Sequence, residues 1–264
     1  MDLELKGKTA VVSGSTAGIG LAIAQTLAQE GATVVVNGRT EERVAAAIAQ
    51  IQAKVRDAKL RGVAADLGTA KGAADFVRAV PETDILVNNV GIYQVKPFLE
   101  LTDAEWTNLF EVNVMSGVRL SRHYLPGMLR KNWGRMIFIS SESGQQIPVE
   151  MVHYGMTKTA QLAVARGLAE TVSGTGVTVN SVLPGPTASE GVAKFVADVA
   201  RKQGVTSADV EKEFFKTVRP SSLMKRFETT EEIAAVVAFV ASPRSSAISG
   251  AAVKAEGGVV RSIL

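Results

Sequence analysis

The sequence predicts an α/β protein in which one doubly wound, parallel, seven-stranded sheet carries helices on both faces. Three observations point to it. Short β-branched and apolar runs alternate with longer segments that are apolar at helical spacing. The first run passes directly into a glycine-rich turn and then a helix. No linker, low-complexity tract or internal repeat interrupts the 264 residues, so 1–264 reads as one domain.

Composition bounds the function. With 46% hydrophobic and 21% charged residues, the chain can bury a sizeable core. A net charge of +3, with the basic residues dispersed, argues against a nucleic-acid partner. There are no cysteines, which excludes disulfides, thiolate metal sites and a cysteine nucleophile. His123 and His153 stand isolated, so no metal site is expected. No apolar run approaches the ~20 residues of a membrane span. The N-terminal residues Met1 to Leu5 carry two acids and no basic segment, unlike a secretory signal, so a cytoplasmic location is expected.

The first strand is expected over 9–12, followed by Ser13-Gly14-Ser15-Thr16-Ala17-Gly18-Ile19-Gly20 and a helix over 21–28 that Gly31 ends. Glycines allow a tight turn and a close backbone approach to a pyrophosphate, and the helix N-terminus offers unpaired amides to its charge. Gly14, Ser15, Thr16, Gly18, Ile19 and Gly20 are therefore candidates for holding a dinucleotide. Their spacing is G-x-x-x-G-x-G rather than G-x-G-x-x-G.

A second strand over 33–36 ends in Asn37-Gly38-Arg39. Folds that bind NAD usually place an acid there for the ribose hydroxyls, whereas Asn37 with Arg39 two residues on suits a 2′-phosphate. NADP(H) is favoured over NAD(H). A merely solvated Arg39, diluted by Glu41 and Glu42, is the alternative.

A helix over 41–59 leads to a third strand over 62–65, which ends at Asp66-Leu67. Asp66 is placed either to accept from an adenine amine or to cap a helix. A helix over 75–80 and a strand over 84–87 precede Asn88-Asn89-Val90-Gly91, whose amides either tie strands together or line a cofactor floor. Thr102 to Glu105 resembles a capping box opening a long helix to 129. Asn113 lies inside it and suggests a kink or a polar task; Pro126 is expected to bend or end the helix near 122–124.

After a strand over 136–139 come Ser140-Ser141, and then Tyr154-Gly155-Met156-Thr157-Lys158 opening a helix to about 172. Residues four apart share a helical face, so the phenol and ammonium point the same way. The lysine is expected to lower the tyrosine pKa and make it a general acid or base, with Ser141 placed to bind a carbonyl oxygen. A strand over 177–183 ends in Pro184-Gly185-Pro186-Thr187, where Thr187 and Ser189 are either cofactor contacts or plain loop residues. Two short amphipathic helices across 188–227 form a lid, a last helix runs from Thr229 to 241, and a final strand covers 251–254.

Taken in order, these segments resemble the short-chain dehydrogenase/reductase family over nearly the whole chain. The features that carry the resemblance are the turn from Ser13 to Gly20, the Asn88-Asn89-Val90-Gly91 segment, the set Asn113, Ser141, Tyr154 and Lys158, and Pro184-Gly185. Ser13, Val90 and Glu256 replace the usual Thr, Ala and Asp.

The resemblance implies a Rossmann fold and an oxidoreductase moving a hydride between a nicotinamide cofactor and a ketone/secondary alcohol, as 3-oxoacyl or carbonyl reductases do. It assigns catalysis to Asn113, Ser141, Tyr154 and Lys158. Cofactor contacts fall to Gly14, Ser15, Thr16, Gly18, Ile19, Gly20, Arg39, Asp66, Leu67, Asn89, Gly91, Tyr154, Lys158, Pro184, Gly185 and Thr187. In that scheme Asn113 holds a water linking Lys158 to solvent. A homotetramer packed through the Asn113 and Tyr154 helices is also implied, with small residues such as Ala160, Ala163 and Ala165 at the contact.

The alternatives are an NAD-dependent alcohol dehydrogenase of the same fold and a non-catalytic dinucleotide-binding redox sensor, the latter disfavoured by the intact Ser141, Tyr154 and Lys158. Tyr93, Glu142, Gln145, Gln146, Ile147, Met151 and His153, with Phe195, Phe214 and Phe215 from the lid, are candidates for shaping a substrate pocket.

Overall fold

The computed structural model describes residues 1–263, apart from the side chain of Phe195. The strands are β1 (Thr9–Val12), β2 (Thr33–Gly38), β3 (Lys59–Ala64), β4 (Ile85–Asn88), β5 (Gly134–Ile139), β6 (Val177–Pro184) and β7 (Ala252–Ala255). They form one parallel sheet in the order β3-β2-β1-β4-β5-β6-β7. The order reverses between β1 and β4, which opens a crevice beyond their carboxyl ends.

Three helices, α1 (Gly18–Gln29), α2 (Glu41–Lys54) and α9 (Thr230–Ala241), cover one face; Ala10, Val12, Val34, Val36, Ile85 and Val87 pack against them. The opposite face is covered by α3 (Ala70–Ala79), α5 (Ser116–Arg130) and α6 (Val152–Thr171), which meet Val11, Val35, Leu86, Met136 and Phe138. Successive side chains on a strand alternate between faces, so runs such as Thr9–Val12 must be apolar on both.

Several expectations are corrected. The helix expected over 41–59 stops at Lys54, and Lys59–Ala64 is instead a strand pairing with β2. As the sheet's edge strand, β3 exposes Lys59 and Arg61, and this polarity hides it from a search for apolar runs. The third helix begins at Ala70, capped by Thr69, rather than at Asp75. Finally, Pro126 neither ends nor bends the chain out of helix, since α5 continues to Arg130. Pro126 and Arg122 are both exposed, so water can satisfy the carbonyl that the missing N–H leaves free.

The long helix expected over 102–129 is two helices joined by a π turn. The first, α4 (Asp103–Phe110), starts with a Thr102/Glu105 capping box, and the π turn Glu111–Met115 carries Asn113 into α5. Beyond β6 lie α7 (Glu190–Gln203) and α8 (Ser207–Thr217). Phe214 and Phe215 each lie 5.2 Å from Phe227 and 5.1 Å from one another by ring centroid, so these aromatics form the helices' own small core.

Candidate active site

A cleft of about 570 Å³ opens at the carboxyl ends of β1, β2 and β4. Gly14, Thr16, Ile19, Gly20, Arg39, Asp66, Leu67, Asn89 and Gly91 all line it, as expected of nine of the candidates. Gly14 and Gly18 adopt φ of +62° and +56°, where a side chain would be strained. A Cβ on Gly20 would collide with the Gly14 carbonyl and the Asn89 amide.

The N-terminus of α1 carries no side-chain cap, whereas Thr40, Thr69 and Thr102 cap α2, α3 and α4. The first amides of α1 are left for an anion, which fits a pyrophosphate. Asn37 Oδ1 accepts from Gly14 N at 3.0 Å while Nδ2 donates to Val63 O and Ala65 O at 3.2 Å each, tying β1, β2 and β3 together. With the acid's usual place taken by this neutral staple, Arg39 and a second guanidinium, Arg43 on the first turn of α2, line the cleft together with the Asp66 carboxylate.

Besides Tyr154 and Lys158, five cofactor candidates do not line this cleft: Ser15, Gly18, Pro184, Gly185 and Thr187. Ser15 is fully buried: its hydroxyl donates to Val12 O at 2.7 Å and accepts from Asn37 N, while its amide donates to Asn37 O. Its polar groups serve the turn, not the cleft. Thr187 is buried too, with its hydroxyl on Gly185 O at 3.0 Å and near Glu228 Oε2 at 3.5 Å; Ser189, which caps α7, lines the cleft instead. Gly185 sits against Glu228 and Glu256 with its amide on Ala255 O, so Pro184 and Gly185 close the far end of β6. Asp66 does not cap α3; its Oδ1 accepts from Gly68 N and its side chain faces the cleft.

Asn89 does both tasks open to it, donating to Ser13 O and Gly14 O at 3.0 Å while lining the cleft. Asn88 turns inward to Ser121.

Asn113, Ser141, Tyr154 and Lys158 come together where the cleft meets β5 and α6. A Cβ on Gly91 would stand 3.4 Å from Lys158 Nζ and 3.7 Å from Asn113 Oδ1, so the cleft ends on these two side chains. Lys158 Nζ lies 5.6 Å from the Tyr154 ring centroid and donates to Ile139 O at 2.9 Å and Gln161 Oε1 at 3.3 Å. Burial pulls the Lys158 ammonium down to about 8.

Burial also pushes the Tyr154 phenol up to about 12, against a hydrogen bond with Ser141 that pulls it down. This differs from the expectation that Lys158 would lower Tyr154. The ammonium faces the ring and is held by the Ile139 carbonyl and Gln161, so desolvation of the phenol dominates. Asn113 Oδ1 accepts from Ile92 N at 2.8 Å; its Nδ2 donates to Ile92 O and Thr157 Oγ1. Asn113 thus has polar work inside the π turn.

Around this set, Tyr93 stacks edge-on to Tyr154 at 6.2 Å and is exposed, as are Gln145, Gln146 and Ile147. Glu142 is buried with Oε1 held by Arg219 Nε at 2.9 Å, and Oε2 has no partner. His153 packs on Trp106, burial holds it below the ordinary histidine value, and neither ring nitrogen has a partner. The candidate Phe195 lies outside the described side chains. Among the described residues no group of three or more His, Asp or Glu could hold a metal ion.

Sequence reasoning missed Arg43, Thr157, Gln161 and Arg219. Thr157 and Gln161 share the inner side of α6 with Lys158 and could have been flagged as polar residues at helical spacing in an Ala-rich stretch. Arg219 is far along the chain and had no such signal.

The chain matches the family model described as short chain dehydrogenase over residues 8–200. It is 49% identical to the uncharacterised oxidoreductase YvaG of Bacillus subtilis, covering 100% of both chains. It is 33% identical to a 3-oxoacyl-[acyl-carrier-protein] reductase of Aquifex aeolicus, over 98% of this chain and 100% of the relative. A solved L-sorbose reductase of Gluconobacter frateurii, complexed with NADPH and L-sorbose, superimposes with a TM-score of 0.92 at 31% identity, covering 100% of both chains. The chain belongs to the short-chain dehydrogenase/reductase family and is an oxidoreductase.

Proposed function

We propose that this short-chain dehydrogenase/reductase uses NADP(H) and interconverts a ketone and a secondary alcohol, in the manner of carbonyl or 3-oxoacyl reductases. The observation that carries the reading is the cleft itself. Arg39 and Arg43 stand at one end, the neutral staple Asn37 replaces an acid, and Lys158 closes the other end beside Tyr154. Two guanidiniums at a strand end that lacks the usual acid suit a 2′-phosphate. Relatives that reduce ketones, one of them solved with NADPH, support the same choice.

A bound nicotinamide cofactor supplies the hydride. The protein's part is to hold the carbonyl and move the proton. Ser141 hydrogen-bonds the substrate oxygen, and Tyr154, bonded to Ser141, gives that oxygen its proton. Lys158 presents a positive charge to the phenol and reaches the cleft at Gly91, where it would hold the ribose of a bound cofactor. Asn113 fixes the Gly91-Ile92 backbone through Ile92 N and O, which shapes that end of the cleft. The helices α7 and α8 act as a lid over the substrate.

The same reading gives a cytoplasmic homotetramer. Thr159, Ala163 and Gly167 form an exposed small-residue stripe on α6 that admits close helix packing, whereas Ala165 faces its own core. The test is a fluorescence titration of the purified protein with NADPH and NADH, followed by turnover of a panel of ketones and secondary alcohols. Tighter NADPH binding with ketone-dependent NADPH oxidation supports the proposal. A preference for NADH overturns the cofactor assignment, and no binding of either overturns the whole reading.

A further inference from the structure

We infer that Gln161 is a positioning residue for the Lys158 ammonium. Its amide bridges Lys158 Nζ and the Asn113 main-chain carbonyl, whereas the resemblance to the family implies a water held by Asn113 that links Lys158 to solvent. The inference rests on the proposed role of Lys158.

Gln161 is 1% exposed, and a buried carboxamide is costly unless its groups are paired. Its Oε1 accepts from Lys158 Nζ at 3.3 Å and its Nε2 donates to Asn113 O at 2.6 Å. The two partners dictate the amide's orientation, because an ammonium can only donate and a carbonyl can only accept. The π turn aims the Asn113 carbonyl at α6, while the Asn113 side chain is already taken by Ile92 and Thr157. A chain of two hydrogen bonds therefore runs from the ammonium to the π turn without solvent. Unlike water, a carboxamide cannot readily take up a proton at one end and release it at the other. Its contribution is to fix the position of Nζ and to favour its charged form.

The charged and titratable groups around Lys158 are few. Tyr154 lies on its own helix. Glu142, in the segment after β5, is held by Arg219, and Glu111 of the π turn is paired with Arg119. The Ile139 carbonyl of β5 is the other acceptor of the ammonium. Removing the Gln161 carbonyl takes away one of two acceptors from a buried cation, which must shift it toward the neutral form.

The experiment is a pH titration of the Lys158 Cε signal in cofactor-free protein labelled with 13C-lysine, the signal being assigned by its loss in Lys158→Arg. Gln161→Leu is expected to lower the midpoint by roughly one pH unit, and Gln161→Glu to raise it. The pH limb of kcat should move in the same directions, with kcat at neutral pH about ten-fold lower in Gln161→Leu. Should Gln161→Leu fail to fold, Gln161→Glu alone decides. A Lys158 midpoint unmoved in every folded variant overturns the inference and leaves Gln161 a packing residue. Because the titration needs neither cofactor nor turnover, it stands apart from the fate of the proposed activity.

Discussion

Arg219 Nε donates to Glu142 Oε1 across 2.9 Å, joining the segment after α8 to the residue that follows Ser141. Both side chains are more than nine-tenths buried, and Arg219 Nη1 also reaches Glu150 Oε1 at 3.4 Å. The pair ties the segment after α8 to the turn that follows β5.

Replacing Arg219 with Met should leave the Glu142 carboxylate buried without a counter-charge. The expected loss is on the order of 3 kcal/mol, read as a fall in Tm, together with a raised KM as the lid loosens. An unchanged Tm and KM would show the pair to be dispensable.

Tyr154→Phe removes the proposed proton donor and keeps the ring against Tyr93 and the Lys158 side chain. Turnover should fall about a hundred- to ten-thousand-fold, with cofactor affinity nearly unchanged. Retention of near-wild-type turnover would take Tyr154 out of the mechanism.

Arg39→Ala and Arg43→Ala should each weaken NADPH more than NADH, and together more than either alone, because both line the same end of the cleft. Binding curves for the two cofactors decide it; equal losses would mean that neither guanidinium reads a phosphate.

Burial pushes the Glu228 carboxyl up to about 7 from 4.5, with Glu256 adding in the same direction. The folded state therefore holds a proton that the unfolded chain has released, and stability falls as pH rises from 4.5 to about 7. Glu228→Gln should gain up to about 3 kcal/mol over the wild type at about pH 8 and little near pH ~5. Melting curves at the two pH values test this, and a gain of the same size at both would point to packing instead of titration.

Much of the fold was legible because its signals are local. Buried parallel strands such as β4, with Ile85, Leu86 and Val87, are apolar on both faces, and caps such as Thr229 with Glu232 announce helices within four residues. What went unread answers to distant partners: the third strand was expected only over 62–65 because its first residues are polar at a sheet edge, and Pro126 is tolerated because its side of α5 faces water.

The sequence by itself determined the α/β alternation, the glycine turn before α1, and the helical register that puts Tyr154 and Lys158 on one face. These depend on spacing along a few turns of chain. Only the tertiary structure decided where those groups spend their hydrogen bonds. Ser15 and Thr187 turn away from the cleft, Lys158 is held by Ile139 and Gln161, and Arg219 reaches Glu142 from 77 residues away. The direction of the Tyr154 shift belongs to this second group, since desolvation is set by everything packed around the phenol and by no spacing in the chain.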